Sequence, residues 1–207
     1  MEMIKRLFII LLFSAPVSLS SQNIDIRLLR SFNSRETLSS DKFFRFMSNS
    51  DAFIVMGIPA VMGTSGLIKH DDQLFRNACV VLGATAVNSG ITLAMKYAIN
   101  RERPFVTYTD ITKKSKGGSP SFPSGHTSSA FATATSLSLA YPKWYIIVSS
   151  YSWAGTVAYS RMHLGVHYPS DVLTGALVGA GSAWLTYEVN KKLNNNSKKK
   201  PCNCPEL

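Results

Sequence analysis

Val172-Leu-Thr-Gly-Ala-Leu-Val-Gly-Ala-Gly-Ser-Ala-Trp-Leu-Thr-Tyr187 holds no charged side chain and is dense in glycine, alanine, serine and threonine. Small residues let helix backbones approach closely, a composition suited to packing inside a membrane. Four more uncharged runs precede it: Ala52 to Ile68, Asn77 to Met95, Thr127 to Tyr141 and Trp144 to Ser160. At about 1.5 Å per residue these runs reach or approach the thickness of a bilayer, and their flanks extend the shorter ones. The fold expected is all-α, a helical bundle embedded in a membrane with about five spanning helices. Small-residue helices of this length also build soluble all-α cores, so the alternative is a soluble bundle.

Composition points the same way. Of the 207 residues 45% are hydrophobic and 16% charged, against about 25% charged in an ordinary soluble domain. Mean hydropathy is only +0.06, which keeps the soluble alternative open. The net charge of +10 favours an anionic partner: nucleic acid, an acidic membrane surface or a phosphorylated substrate. Length and the lack of a repeat predict one domain.

Lys5 and Arg6 before the apolar run Leu7 to Phe13, then Pro16 and Ser18, Ser20 and Ser21, read as a secretory signal peptide over 1–21. The run is too short to span, so cleavage is expected near Ser20 or Ser21. Residues 22–51 intersperse Ile26, Leu28, Leu29, Phe32, Phe43, Phe44 and Phe46 with Arg27, Arg30, Arg35, Lys42 and Arg45. They suit an amphipathic extracytoplasmic lead-in on a membrane surface, or a plain helical lead-in. The bundle occupies 52–189, and 190–207 is a lysine-rich tail. Five crossings after a signal peptide leave Lys69 to Arg76, the Tyr141-Pro142-Lys143 turn and the tail inside, as the positive-inside tendency asks. Met95 to Phe122 and Ser160 to Asp171 then fall outside, although they too are basic. Cys79 reads as a small core hydrophobe, and Cys202 and Cys204 as a weak metal motif with no further ligand nearby.

Three clusters lie at the outer ends of these segments. In Lys96-Tyr-Ala-Ile-Asn-Arg101-Glu-Arg103-Pro104, a helix continued to the proline puts Lys96 and Arg103 on one face. The pair suits a phosphate dianion, the lysine as a point charge and the arginine as a planar fork; snorkelling at a helix end is the alternative. Pro123-Ser124-Gly125-His126 opens the next helix, where free amides attract anions. Gly125 permits close approach to a phosphoryl oxygen, Ser124 adds a hydroxyl and His126 a proton; as a plain helix start it needs no function. The third cluster is Ser160-Arg161-Met-His163-Leu-Gly-Val-His167-Tyr-Pro-Ser-Asp171. Asp171 can hold one tautomer of His167, leaving a bare nitrogen competent to attack phosphorus, while Arg161 binds the equatorial oxygens. A metal site on His167 and Asp171 is the competing reading, short of further ligands. His163 reads as a structural residue.

In order and spacing, Lys96-x6-Arg103-Pro104, Pro123-Ser124-Gly125-His126 and Ser160-Arg161-x5-His167-x3-Asp171 resemble the three-part signature of the type 2 phosphatidic acid phosphatase superfamily. The resemblance covers roughly Ala52 to Val189. It implies a helical bundle with its site at the extracytoplasmic face, and metal-independent hydrolysis with no cofactor. His167 becomes the nucleophile, Asp171 its orienting partner and His126 the acid on the leaving oxygen. Lys96, Arg103, Ser124, Gly125 and Arg161 become the phosphate cradle. Membrane members commonly have six spanning helices, one more than expected here.

The function expected is a phosphatase acting on a lipid phosphate monoester or polyprenyl pyrophosphate through a phosphohistidine, at the outer face of the cell (inner) membrane. No nucleic acid or obligate protein partner is expected. A soluble secreted phosphatase of broad specificity, or a vanadate-dependent haloperoxidase, are the alternatives within the same superfamily; a non-catalytic membrane binding protein lies outside it. Lys113-Lys-Ser-Lys116-Gly-Gly118 suits a second anion or a solvated flexible loop.

Overall fold

The uncharged runs are all helical. The computed structural model describes residues 18–34 and 39–198. The body of the expected signal peptide, Arg35, and Cys202 and Cys204 of the tail lie outside the described residues. The helices are α1 (Ser18–Phe32), α2 (Ser40–Lys69), α3 (Asp72–Ile99), the single turn α4 (Pro104–Thr107), α5 (Gly125–Ala140), α6 (Trp144–His163) and α7 (Pro169–Lys198). No strand occurs among the described residues.

The reversals follow from local chemistry. α2 stops at His70, which takes the left-handed conformation (φ 51°), and the Asp71 side chain then accepts from the Leu74 amide at 3.0 Å to start α3. Tyr141-Pro142-Lys143 separates α5 from α6, and Pro169 opens α7, where a missing N–H costs nothing. The five long helices therefore run alternately. The start of α2, the end of α3, the start of α5, the end of α6 and the start of α7 share one end of the bundle, and all three clusters sit there.

α5 is the central element, packed against α7, α6, α3 and α2. Its contact with α7 depends on Gly175 and Gly179. A Cβ at Gly175 would stand 2.7 Å from the Ser124 carbonyl oxygen, and one at Gly179 would collide with the Ser128 carbonyl. Polar groups tie α5 to α3 within the core: Ser128 donates to Asn88 Oδ1, and Thr92 lies 2.9 Å from Ser128 Oγ.

The outer faces are apolar: Phe53, Val61, Ile68, Leu93, Trp144, Leu177 and Trp184 are all exposed. Among the described residues, α2 and α3 are long and apolar enough to cross a membrane. Cys79 belongs to this outer face, not to the core as the sequence suggests, because it lies on the side of α3 turned away from the other helices. α1 and the first turns of α2 form the lead-in. α1 does not lie apart from the bundle; it buries Ile26 and Leu29 against Ile111 and Tyr168. α2 runs without a break across residue 52.

Candidate active site

His167 and Asp171 occupy the corner between α6 and α7, with 1% and 0% of their surfaces exposed. The Asp171 carboxylate folds back over the start of α7. It accepts from the Tyr168 amide at 3.0 Å, from the Ser121 hydroxyl and from Arg101 Nη1 at 2.7 Å. His167 Nδ1 points at Oδ2 from 3.4 Å, too far and too poorly aimed for a closed hydrogen bond, and it has no other partner. Such contacts are commonly loose before substrate arrives. Nε2 faces Arg103 Nη1 at 3.3 Å; since a guanidinium only donates, Nε2 holds the lone pair and Nδ1 the proton. Burial pushes the His167 pKa down to about 3; the Asp171 contact opposes this, and Arg161 and Arg103 add to it. The ring is neutral. Burial pushes Asp171 up, but His167, Arg101 and Ser121 together outweigh it and hold the carboxyl below its usual range.

Lys96, Arg103 and Arg161 converge on this pair by a route the sequence does not suggest. α3 ends at Ile99 and Asn100 turns left-handed (φ 46°), so Lys96 and Arg103 do not share a helical face. The chain turns back and brings Arg103 in from a loop. Arg103 Nε donates to Ser119 O and Nη1 to Val166 O, both at 2.8 Å. The guanidinium lies so close to Gly117 that a Cβ there would stand 2.8 Å from Nη1. Lys96 Nζ donates to Pro120 O at 2.6 Å. Arg161 Nη1 donates to Ser48 Oγ, while its Nε has no partner. All three cations are buried, and among the described residues none is ion-paired with a carboxylate. Asp171 acts on Lys96 and Arg103, and Asp51 on Arg161, only from beyond pairing distance, so the three buried cations face one place without a direct ion pair, an arrangement that favours an anion between them.

α5 presents its N-terminus to the same place. Ser124 occupies its N-cap position without a side-chain capping bond, its amide donating to Asp171 O at 3.0 Å and its hydroxyl lying 2.9 Å from Thr127 Oγ1. A Cβ on Gly125 would meet only Lys96 Cε, at 3.9 Å, so this turn stays open. His126 is half-buried. Burial, then Arg161, His167, Arg103 and Lys96, push its pKa down to about 3. All eight residues expected from the sequence thus gather at one place.

Besides Ser121, the sequence reading passes over Arg101, Asp25 and Ser48, which support the site. Arg101 bridges Asp171 and Asp25, with Nη2 at 2.8 Å from Asp25 Oδ2, and stacks 3.8 Å from the Tyr168 ring centre. Asp25 also accepts from the Ser170 amide at 2.8 Å. Ser48 holds Arg161. Arg101 stands within the first cluster, and only the helix break at Asn100 reveals its direction; Asp25 and Ser48 carry no local signal. His163 stays outside the cluster, its Nε2 at 2.7 Å from Asp41 Oδ1. Lys114 meets the same carboxylate at 3.0 Å. The Lys113–Gly118 segment is therefore packed as a wall of the site through Lys114, Gly117 and the following Ser119 and Pro120, while Lys116 remains exposed. No group of three or more His, Cys, Asp or Glu side chains suited to a metal ion occurs among the described residues.

Residues 77–195 match the model of the PAP2 superfamily. A lipid A 4'-phosphatase of Bacteroides thetaiotaomicron is 35% identical over 94 residues, 45% of this chain and 42% of that protein. An undecaprenyl-diphosphatase of Sulfolobus acidocaldarius is 36% identical over 96 residues, 45% of this chain and 46% of that protein. The matched stretch is thus less than half of either relative. Among solved structures, Aquifex aeolicus LpxE superposes with a TM-score of 0.68 at 24% identity, covering 80% of this chain and 95% of that one. A transmembrane PAP2 type phosphatidylglycerolphosphate phosphatase from Bacillus subtilis gives 0.74 at 20% identity, covering 90% and 94%; at these identities the likeness is one of fold.

Proposed function

The chain belongs to the PAP2 superfamily, and from that premise we propose that it is a metal-independent phosphatase of a membrane lipid phosphate or diphosphate. The observation that carries this reading is the set of three buried cations without carboxylate partners around a neutral, buried imidazole. A phosphoryl group supplies the missing negative charge, and the imidazole supplies the nucleophile.

His167 Nε2 attacks phosphorus in line, forming the N–P bond as the P–O bond to the leaving group breaks. Charge building on Nδ1–H draws it toward Asp171. Lys96, Arg103, Arg161 and the α5 amides hold the equatorial oxygens as their charge redistributes. His126 gives its proton to the leaving oxygen, then takes one from the water that hydrolyses the phosphohistidine.

Several features support an inner-membrane protein with its site outside. The exposed apolar faces of α2 and α3 would be costly in water. The end of the bundle opposite the site carries Lys69, Arg76, Lys143, Lys191 and Lys192, the bias of a cytoplasmic face. Relatives whose names specify lipid A or undecaprenyl diphosphate suggest the substrates to try first. The test is phosphate release by purified protein from a panel of phosphorylated lipids with chelator present. Release is expected for the wild type and background for His167→Ala; equal rates would remove the nucleophile assignment.

A further inference from the structure

We infer that the leaving group carries a negative charge of its own, held by Arg45 and Lys116, so that the preferred substrate is a lipid with two phosphate groups. This rests on the function proposed above. In-line transfer puts nucleophile and leaving group on opposite sides of phosphorus. His167 is sealed on the inner side, 1% exposed. His126, the group able to protonate the departing oxygen, opens instead into a cavity of ≈ 530 Å³. What lines that cavity faces the leaving group.

One wall is a single face of α2, because Asn49, Ala52 and Phe53 follow Arg45 by four, seven and eight positions. The opposite wall is the loop that carries Lys114, Ser115 and Lys116. Lys114 is committed to Asp41. Arg45 and Lys116 are exposed, and no hydrogen bond or ion pair to either is found among the described residues. Along α2 the wall changes from Arg45 and Asn49 at the outer end to Ala52 and Phe53 further along, and then to exposed Met56 on the apolar surface. An occupant that fits is anionic beside the scissile bond and apolar beyond it. A neutral alcohol leaves both cations idle. A second phosphate pairs with them, and when it is bonded directly to the first they also stabilise the monophosphate that departs as the bridging P–O bond breaks and the His126 proton moves to that oxygen.

The second phosphate has two possible sources, the inner phosphate of a diphosphate or a separate phosphate elsewhere on a glycolipid headgroup. Two matched pairs distinguish them: a polyprenyl diphosphate against the monophosphate of the same chain, and bisphosphorylated against monophosphorylated lipid A. The wild type is expected to favour the two-phosphate member of at least one pair in kcat/KM by about tenfold or more. The double variant Arg45→Ala/Lys116→Ala is expected to lose that preference, mainly through KM, and Arg45→Lys/Lys116→Arg to keep most of it. The pair that responds identifies the source. Release from all four lipids without preference, or a preference that survives the double alanine variant, overturns the inference and leaves the proposed function standing. No release from any lipid by the wild type overturns both.

Discussion

Arg101→Gln separates the chain of contacts behind the proposed nucleophile from the proposed phosphate cradle. Arg101 Nη1 reaches Asp171 at 2.7 Å and Nη2 reaches Asp25 at 2.8 Å, and its side chain is only 23% exposed. Glutamine removes the charge and the fork, so Asp171 loses one charge-assisted bond of about 1.5–3 kcal/mol. If that bond fixes the carboxylate where imidazolium charge develops, kcat falls about ten- to hundredfold. KM should move little, since Arg101 faces two carboxylates and not the cradle. Asp25, 5% exposed, is left with Ser170 alone. Breaking a buried pair can cost about 3–5 kcal/mol, and partial exposure of Arg101 reduces the expectation to about 2 kcal/mol. Asp25→Asn/Arg101→Gln removes the orphaned charge and should recover most of the stability while kcat stays low. Steady-state kinetics and thermal unfolding in the same detergent measure both. A kcat within twofold of wild type, or a raised KM at unchanged kcat, would refute the positioning role.

His167→Ala should abolish the acid-labile, alkali-stable phosphoenzyme that rapid quenching traps in the wild type, and a phosphoenzyme persisting in the variant would move the nucleophile elsewhere. Gly179→Val forces side-chain atoms onto the Ser128 carbonyl; it should destabilise by about 1–3 kcal/mol, and an unchanged Tm would mean that α5 and α7 are less closely apposed than described. Stability itself should depend on acidity. His126 and His167 have folded pKa values pushed down to about 3, below the unfolded value of about 6.5, so the unfolded chain binds more protons between those limits. Their contribution is complete above about pH 6.5 and declines as pH falls toward 3; His126→Gln should flatten the fall in Tm, and an equally steep fall would assign it to other groups.

The five long helices were legible because each uncharged run exceeds what a loop tolerates, and the residues that converge at the candidate site because their spacing resembles a family signature. Their route into the site was not. A continued helix from Met95 predicts a shared face for Lys96 and Arg103, yet Asn100 takes a left-handed turn and the residues meet through a loop. Arg101 was hidden by the same assumption. Asp25, Asp41 and Ser48 are separated by 70 or more residues from the groups they hold, and periodicity has no reach over such distances. Cys79 was misplaced because a run uncharged on every face does not say which side meets other helices and which meets the surroundings.

The low pKa of His126 decides how this proposed acid is loaded. In the empty site the ring is neutral, held down by burial and by Arg161, Arg103 and Lys96, and a neutral imidazole in that state has no proton to spare for a leaving oxygen. An arriving phosphate cancels part of the cationic field and so raises the pKa of His126 in the complex. The simplest source of the proton is the substrate, whose second ionisation lies near pH 6. The monoanion carries the proton in and passes it to His126. On this account kcat/KM has no acid limb near pH 6.5, because His167 is already neutral there, and it declines as pH rises through the second pKa of the substrate. Replacing the substrate by an analogue with a more acidic phosphoryl group should shift that alkaline break downward by the difference in pKa. A break fixed at one pH for both compounds would locate the titrating group in the enzyme and end the argument for substrate-borne protonation.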